Sequence, residues 1–584
     1  MKYQSPLFML QYWEKEAPNK IYLKQPVHGA WHTWTWQQAG QEVRQLAAAL
    51  QALALPTNSH IALLSKNCAH WMICDLAIMM AGHVSIPLYP NLQQDNVQQV
   101  LEHSESVVLF AGKLDNWDAI KNGVPKHIKC IALPFCSHDR CESWDSFTKP
   151  HAPIQENIDR DATDLCSIVY TSGTSGTPKG AMFTFDAFAF VAQNAIESLG
   201  FKNTDRFFSY LPLSHIAERM LVEMVSLYAG GQVSFAESLQ SFAQNLAETK
   251  PTIFLGVHRI WTKFQEGLLA KIPEKKLDIL LRVPLLSHFT KRKIRKGLGL
   301  NNTTMVLTGA SPTPPALIEW FRRIGIRIQE AYAMTENCCY SHVTLKENIK
   351  IGYVGQALPH CDVRLGDSNE IQVRHKALMK GYYKEPEKTM EAFTEDGFLK
   401  TGDEGSIDEH GFLKITGRIK DLFKTAKGKY VAPSPIEMKV STNTMIDQVC
   451  VIGSGLPQPM ALVTLSEEGR KRSTEELQIE FKNMLKEVNS SLDAHEKVYK
   501  IIVLKEQWMV ENNLLTPSLK IKRNEIEKRY AAFYEKWFDT GGSIIMVDEQ
   551  PPASIPNTPG KTYVTLSINQ IPGYYASNFQ GYYR

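Results

Sequence analysis

Short apolar runs alternate with amphipathic stripes through the first part of the chain, and no other sequence feature restricts the fold as tightly. Thr35 and Gln38 have the spacing of a helix capping box. Val43, Leu46, Ala47 and Leu50 then recur at i, i+3, i+4 and i+7, one face of a helix. Ile61–Leu64 reads as a buried strand, Trp71–Ala81 as a helix and Val84–Leu88 as a strand. Asp95–Glu102 reads as another helix, and Val107–Phe110 and Ile128–Leu133 as further strands. This alternation predicts an α/β architecture of mostly parallel sheets covered by helices. Such folds keep their chemistry in loops at the carboxyl ends of strands.

Later in the chain the pattern changes. Glu370–Val373 and Phe412–Thr416 read as short strands, the second following a turn at Asp408–Gly411. Past Gly417 and Arg418 a smaller α+β unit is expected. Its strands are Gln448–Ile452 and Ala461–Leu465, and its helices Thr474–Ser490 and Arg523–Phe533. The stretch Thr540–Arg584 is rich in Pro and Tyr and reads as an extended or partly ordered tail.

Composition removes several function classes. With 43% hydrophobic and 21% charged residues among 584, the chain is neither disordered nor fibrous. Lys+Arg 64 against Asp+Glu 61 leaves a net charge of +3, without the concentrated basic face of a nucleic-acid binder. The densest basic run, Lys291, Arg292, Lys293, Arg295 and Lys296, reads as a solvated helix face. Ten Cys without a framework spacing predict reduced thiols in a cytoplasmic setting. Cys136, His138 and Cys141 lack a second ligand pair, so no zinc site is expected there. The apolar stretch His70–Leu88 is interrupted by Asp75, His83 and Pro87. A spanning helix needs about 20 apolar residues, so none is expected; a peripheral membrane contact and the oligomeric state stay open.

The strongest chemical signal is the run Tyr170-Thr-Ser-Gly-Thr-Ser-Gly-Thr-Pro-Lys-Gly180, directly after the apolar Ser167–Val169. Glycines let backbone N–H groups converge on an anion, hydroxyls add donors and Lys179 adds charge. It is not a Walker A loop, because Pro178 precedes the Lys and Gly180 follows it. By composition alone a Gly/Ser/Thr-rich linker would look similar.

This loop resembles the signature loop of the acyl-adenylate-forming (ANL) superfamily: acyl- and aryl-CoA synthetases, peptide-synthetase adenylation domains and firefly-type luciferases. Further segments match that family in order. Ala331-Tyr-Ala-Met-Thr-Glu336 resembles its Tyr-Gly-x-Thr-Glu, Thr401-Gly-Asp403 follows, Gly417-Arg-Ile-Lys-Asp421 matches its hinge, and Leu515–Arg523 resembles the motif that carries a catalytic Lys. The resemblance implies a large adenylate-forming N-terminal domain (1–417) with βα-layered sheets and a hinge (418–420). A small mobile α+β lid (421–539) and the tail (540–584) follow.

It also implies site residues. Thr171, Ser172, Gly173, Thr174, Ser175, Gly176 and Lys179 would hold the β- and γ-phosphates of ATP. Gly309, Ala310, Ser311, Ala331 and Tyr332 would form the adenine pocket. Thr335 would touch the α-phosphate, and Glu336 would bind Mg²⁺, a hard cation that takes oxygen ligands. Asp403 would accept from the ribose hydroxyls and Arg418 would steady ribose or phosphate. Lys520 would be the adenylation catalyst. Lys420 would be the hinge, and Lys424 with Gly428 would serve the second half-reaction. Each has a plainer reading: a loop acid for Glu336, a turn Asp for Asp403, surface charge for Arg418, Lys424 and Lys520.

Leu211-Pro-Leu-Ser-His-Ile-Ala-Glu-Arg219 and Lys427–Pro433 resemble long-chain fatty acyl-CoA synthetases. His215 would then stand near the substrate carboxylate; otherwise it is a core or capping His. The expected function is ATP-dependent activation of a long-chain fatty acid through acyl-AMP to acyl-CoA, with the fatty acid and CoA as partners and no nucleic acid. The near alternative is an acyl-AMP ligase serving a carrier-protein thiol or another acceptor. The alternative of another class is a non-catalytic lipid-binding or scaffold protein on the same fold. Departures are small: Ser175 replaces a common Thr, Ala333 the usual Gly, and His258 a usual Pro.

Overall fold

A computed structural model of the chain describes residues 3–171 and 178–547. Seven strands form one sheet, in the order Glu142–Ser143, Lys129–Ala132, Val108–Ala111, His60–Leu64, Val84–Leu88, Leu165–Tyr170 and Gly180–Thr184. All neighbours are parallel except the last pair, which is an antiparallel hairpin. The inner strands are almost wholly buried, as expected where helices cover both faces of a parallel sheet. Helix Trp36–Gln51 begins with the expected capping box: Gln38 N donates to Thr35 Oγ1 at 3.2 Å, and Thr35 N to Gln38 Oε1 at 2.9 Å. Helix Ala69–Met80 is buried on every side, which explains its near-continuous apolar run.

A nine-stranded sheet has a parallel centre built from Arg206–Ser209, Gln232–Phe235, Ile253–Gly256, Met305–Thr308 and Gln329–Tyr332. The next strands form an antiparallel sheet of Asp362–Leu365, Glu370–Arg374, Leu399–Ile407 and Leu413–Arg418. Ile419–Asp421 follows as a single 3₁₀ turn. Beyond it a four-stranded sheet, Ile446–Ile452, Met460–Leu465, Lys500–Leu504 and Ile544–Val547, packs against helix Thr474–Ser490.

Two expectations are corrected. The stretch after Thr540 does not begin as an extended tail: Ile544–Val547 pairs in parallel with Lys500–Leu504 and closes the small sheet's edge. Four consecutive apolar residues outcompete the Pro-rich context that follows. Residues 548–584 lie outside the described residues. The cysteines are not all thiols: Cys130 and Cys141 are disulfide-bonded, with Cα atoms 4.6 Å apart. The parallel pairing of Ile131 with Glu142 sets their backbones side by side. The other eight cysteines are free. Among the described residues no helix is long and apolar enough to cross a membrane.

Candidate active site

The Gly-rich run joins two strands of an antiparallel hairpin, Leu165–Tyr170 and Gly180–Thr184. Tyr170 pairs with Gly180, and Thr171 N donates to Lys179 O at 2.8 Å, so both ends of the loop are fixed. Ser172, Gly173, Thr174, Ser175 and Gly176 lie outside the described residues. Lys179 Nζ stands 4.9 Å from the centroid of the Tyr382 ring, a cation–π contact. The Tyr382 hydroxyl donates to Glu336 Oε1 at 2.7 Å, and Met379 N donates to Glu336 O at 2.8 Å. The loop's cation and the following motif's acid are thus held by one tyrosine. Sequence reading missed Tyr382; only its neighbour Gly381, at φ +149°, marks a special backbone position there.

Glu336 itself follows strand Gln329–Tyr332 in a turn. Met334 N donates to Asn337 Oδ1 at 2.9 Å and Cys338 N to Thr335 O at 2.9 Å, which fixes Thr335 and Glu336 at the strand's carboxyl end. Ala331 and Tyr332 lie on this strand beside the Gly309–Ser311 turn. A Cβ on Gly309 would come within 3.1 Å of Ala331 O, so a side chain here would push the two strand ends apart by a few tenths of an ångström. Ala310 adopts φ +64°, and it and Ser311 are exposed at the rim.

The Tyr332 hydroxyl donates to Asp403 Oδ2 at 2.8 Å, while Arg418 Nε donates to Asp403 Oδ1 at 2.9 Å. Asp403 and Arg418 are register partners on strands Leu399–Ile407 and Leu413–Arg418, so the sheet itself sets this ion pair. Asp403 is 8% exposed, and a buried carboxylate needs such partners. Burial, with the Asp403 charge second, raises the Tyr332 phenol well above its usual pKa and keeps it a donor.

Lys520 projects toward this group from the small domain. Its loop is closed by Thr516 N donating to Lys520 O at 2.8 Å, Lys520 N to Thr516 Oγ1 at 3.1 Å, and a bridge between Leu515 and Ile521. Asn91 Nδ2 donates to Pro517 O at 2.8 Å and docks this loop on the large domain. The Lys520 side chain is exposed to solvent, yet surrounding protein crowds it. That desolvation lowers its pKa, Arg418 adds to the effect, and Asp403 and Glu336 oppose it. His215 feels Lys520 as well: burial first and then the Lys520 charge push it down to about 3, so the imidazole is neutral at physiological pH. Its Nδ1 accepts from Ala217 N at 3.2 Å and caps the short turn Ile216–Glu218. His215 is thus a capping residue and a cleft residue at once.

Lys424 and Gly428 lie elsewhere, on the hairpin of Phe423–Lys424 and Tyr430–Val431. Lys424 Nζ stands 5.7 Å from the Tyr430 ring, and Gly428 takes φ +76° at the hairpin's tip. Lys420 is exposed within the 3₁₀ turn between the domains. Arg523 anchors that junction, with Nη2 2.6 Å from Glu437 Oε1 and Nε 3.7 Å from Asp421 Oδ2.

Behind the site is a buried ionic core that sequence reading also missed. Arg219, on the π-helical stretch Arg219–Met224, is fully buried; it lies 2.6 Å from Asp75 Oδ1 and 3.5 Å from Glu223 Oε2 and donates to Ser167 Oγ at 2.6 Å. Ser167 is on the strand that leads into the Gly-rich loop.

Among the described residues no three His, Cys, Asp or Glu cluster into an all-protein metal cage. A single carboxylate, Glu336, with one oxygen engaged by Tyr382, suits Mg²⁺, which keeps waters and nucleotide phosphates as its other ligands.

Comparisons with known proteins bear on the family and the fold. A family model for AMP-binding enzymes matches residues 10–383, and one for the C-terminal domain of AMP-binding enzymes matches residues 420–540. A Dictyostelium discoideum protein named fatty acyl-CoA synthetase A is 30% identical over 568 residues, covering 85% of this chain and 84% of its own length. The Mycobacterium bovis long-chain-fatty-acid–CoA ligase FadD15 is 27% identical over 572 residues, covering 89% and 95%. The adenylation domain of a Mycobacterium chelonae carboxylate reductase superposes with a TM-score of 0.77 at 21% identity, covering 92% of this chain and 91% of its own. The anthranilate CoA ligase AuaEII, solved with anthranoyl-AMP, gives 0.76 at 19%, covering 92% and 99%. At such identities the solved structures establish the fold. With the family model spanning most of its length, the chain belongs to the AMP-binding enzymes, the ANL superfamily that includes the AMP-forming acid–thiol ligases.

Proposed function

We propose that this enzyme activates a long-chain fatty acid with ATP and transfers the acyl group to CoA, releasing pyrophosphate and then AMP. In the first step an oxygen of the fatty-acid carboxylate attacks the α-phosphorus. The new O–P bond forms as the bond to pyrophosphate breaks, and negative charge grows on the phosphoryl oxygens. Such steps are accelerated by positioned cations and donors. Lys520 and Lys179 supply cations, Thr335 contacts the α-phosphate, and Asp403 and Arg418 hold the ribose. Glu336, held by the Tyr382 hydroxyl, would hold Mg²⁺, which when bound neutralises phosphate charge. In the second step the CoA thiolate attacks the acyl carbon and AMP leaves; the small domain rotates about Lys420, withdrawing Lys520 and bringing in Lys424 and Gly428.

The observation that carries this reading is the convergence of Lys520, Arg418, Asp403 and Glu336 on one cleft, with the neutral His215 beside Lys520. A scaffold protein would have no use for an ammonium set among those groups. The chain-length reading rests on the relatives named for long-chain acids and on the segment around His215. The test is acid-dependent pyrophosphate release with ATP and Mg²⁺ across a panel of acids. Preference for acids of about sixteen carbons supports the reading, since each buried CH₂ is worth about 0.8 kcal/mol in a matching tunnel. Preference for short or aromatic acids refutes the substrate class and leaves the adenylating chemistry standing.

A further inference from the structure

The helical hairpin of Glu274–Arg282 and Pro284–Gly297 has a face that no described part of the chain covers. One side packs into the body: Leu277 and Ile294 join Trp261, Trp320 and Phe321 in a buried cluster. Across the bend, Ile279 is 63% exposed, Val283 45%, Leu285 72%, Leu286 47% and Phe289 60%. No other eleven-residue stretch of the described chain exposes so many large apolar side chains. An exposed apolar patch of this density marks an interaction surface.

Charge says what it meets. Residues 271–296 hold nine Lys and Arg against Glu274 and Asp278, although the whole chain carries only +3. Both acids are engaged by Arg323, which sits on another helix. Lys275, Arg282, Arg292 and Lys296 are exposed and enter no ion pair among the described residues. On the second helix Leu285, Phe289, Arg292 and Lys296 follow one another at helical spacing; on the first, Lys275, Ile279 and Arg282 do the same. The apolar residues gather at the bend and the basic ones form a collar behind it. Apolar side chains beside Lys and Arg on an exposed helix face are the pattern of an interfacial element on an anionic bilayer.

We propose that this hairpin docks the enzyme on anionic phospholipid membranes, Leu285, Leu286 and Phe289 entering the headgroup boundary and Lys275, Arg282, Arg292 and Lys296 lying on the phosphates. The surface stands on its own geometry and does not depend on the substrate assignment. It does place a membrane contact on the same apolar cluster that supports helix His258–Leu269.

The test is co-sedimentation of the full chain with vesicles of phosphatidylcholine containing 30% phosphatidylglycerol (about a third anionic lipid, a composition within the range such surfaces recognise) and with pure phosphatidylcholine. The wild type should bind the anionic vesicles and release them at high salt. R292Q/K296Q should weaken binding about 25-fold, near fivefold for each cation lost. L285S/F289S should weaken it about tenfold or more. Both variants should keep wild-type acid-dependent pyrophosphate release, since neither pair touches the cleft. F289W should give a blue-shifted emission with anionic vesicles, a readout independent of any loss of fold. Equal binding of wild type and variants, no binding by the wild type, or a fall in oligomeric mass of L285S/F289S in vesicle-free ultracentrifugation would overturn the proposal; the last would make the face a contact between copies of this chain.

Discussion

Replacing Lys520 by Ala should separate the two half-reactions. The loop that carries it is closed by backbone bonds from Thr516 and Lys522 and by the Leu515–Ile521 bridge, none of which uses the ammonium. Folding stability should therefore be unchanged. What is lost is one cationic donor beside Arg418, Asp403 and Glu336. Arg418 and Lys179 remain, so the loss is that of a single preorganised donor, about 3–4 kcal/mol. That is a fall of about 10²–10³ in the rate of acyl-AMP formation. Single-turnover pyrophosphate release measures this step. Release of AMP from supplied acyl-AMP and CoA measures the second step, which should stay within about threefold of wild type, a change below 1 kcal/mol. Equal losses in both steps, or none in either, would refute the role given to Lys520.

Four other outcomes follow from the geometry. Tyr382→Phe removes the donor to Glu336 and should raise the KM for Mg·ATP about tenfold or more, one hydrogen bond to a charged group, with kcat less affected; an unchanged KM would show Glu336 needs no such support. Glu218 is buried, and burial raises its carboxyl to about 8, against backbone and Ser209 hydrogen bonds that lower it. Its folded form holds a proton that the unfolded form has released above about pH 4.5, so its contribution worsens from pH 4.5 to 8, by roughly 3–5 kcal/mol; Glu218→Gln should flatten that slope in denaturant unfolding, and parallel curves would contradict the assignment. Arg219→Ala leaves Asp75 buried without its cation and should cost about 3–5 kcal/mol of stability, read as a lower denaturant midpoint. Truncation after residue 547 should leave soluble activity intact, whereas truncation after residue 539 removes the strand Ile544–Val547 and should lower the small domain's unfolding temperature.

Local patterns carried much of this account. The strands around His60–Leu64 and Val84–Leu88 were legible because both faces are buried, which leaves uninterrupted apolar runs. Helix Thr474–Ser490 was legible to the residue, because Ser473 and Glu476 cap it with both side chains. The sequence motifs led to residues that the structure brings together, Glu336, Tyr332, Asp403, Arg418 and Lys520, because each stands in a short ordered run of its own. What was not legible is held by distant partners. Tyr382 meets Glu336 across 46 positions, Arg219 meets Asp75 across 144, and Asn91 meets Pro517 across 426. The hairpin's apolar bend was not legible, since an apolar residue in a helix carries no sign of exposure until the fold shows Leu285, Leu286 and Phe289 uncovered by any described residue. The disulfide depended on strand pairing at a sheet edge, which Cys spacing does not encode.

The central claim is tested most directly by pyrophosphate release with ATP, Mg²⁺ and palmitate, with and without CoA, while AMP and thioester are followed. Thioester and AMP appearing together only when CoA is present is the predicted result. Acyl-AMP that accumulates and is unchanged by CoA would contradict the CoA ligase assignment and point to a different acyl acceptor.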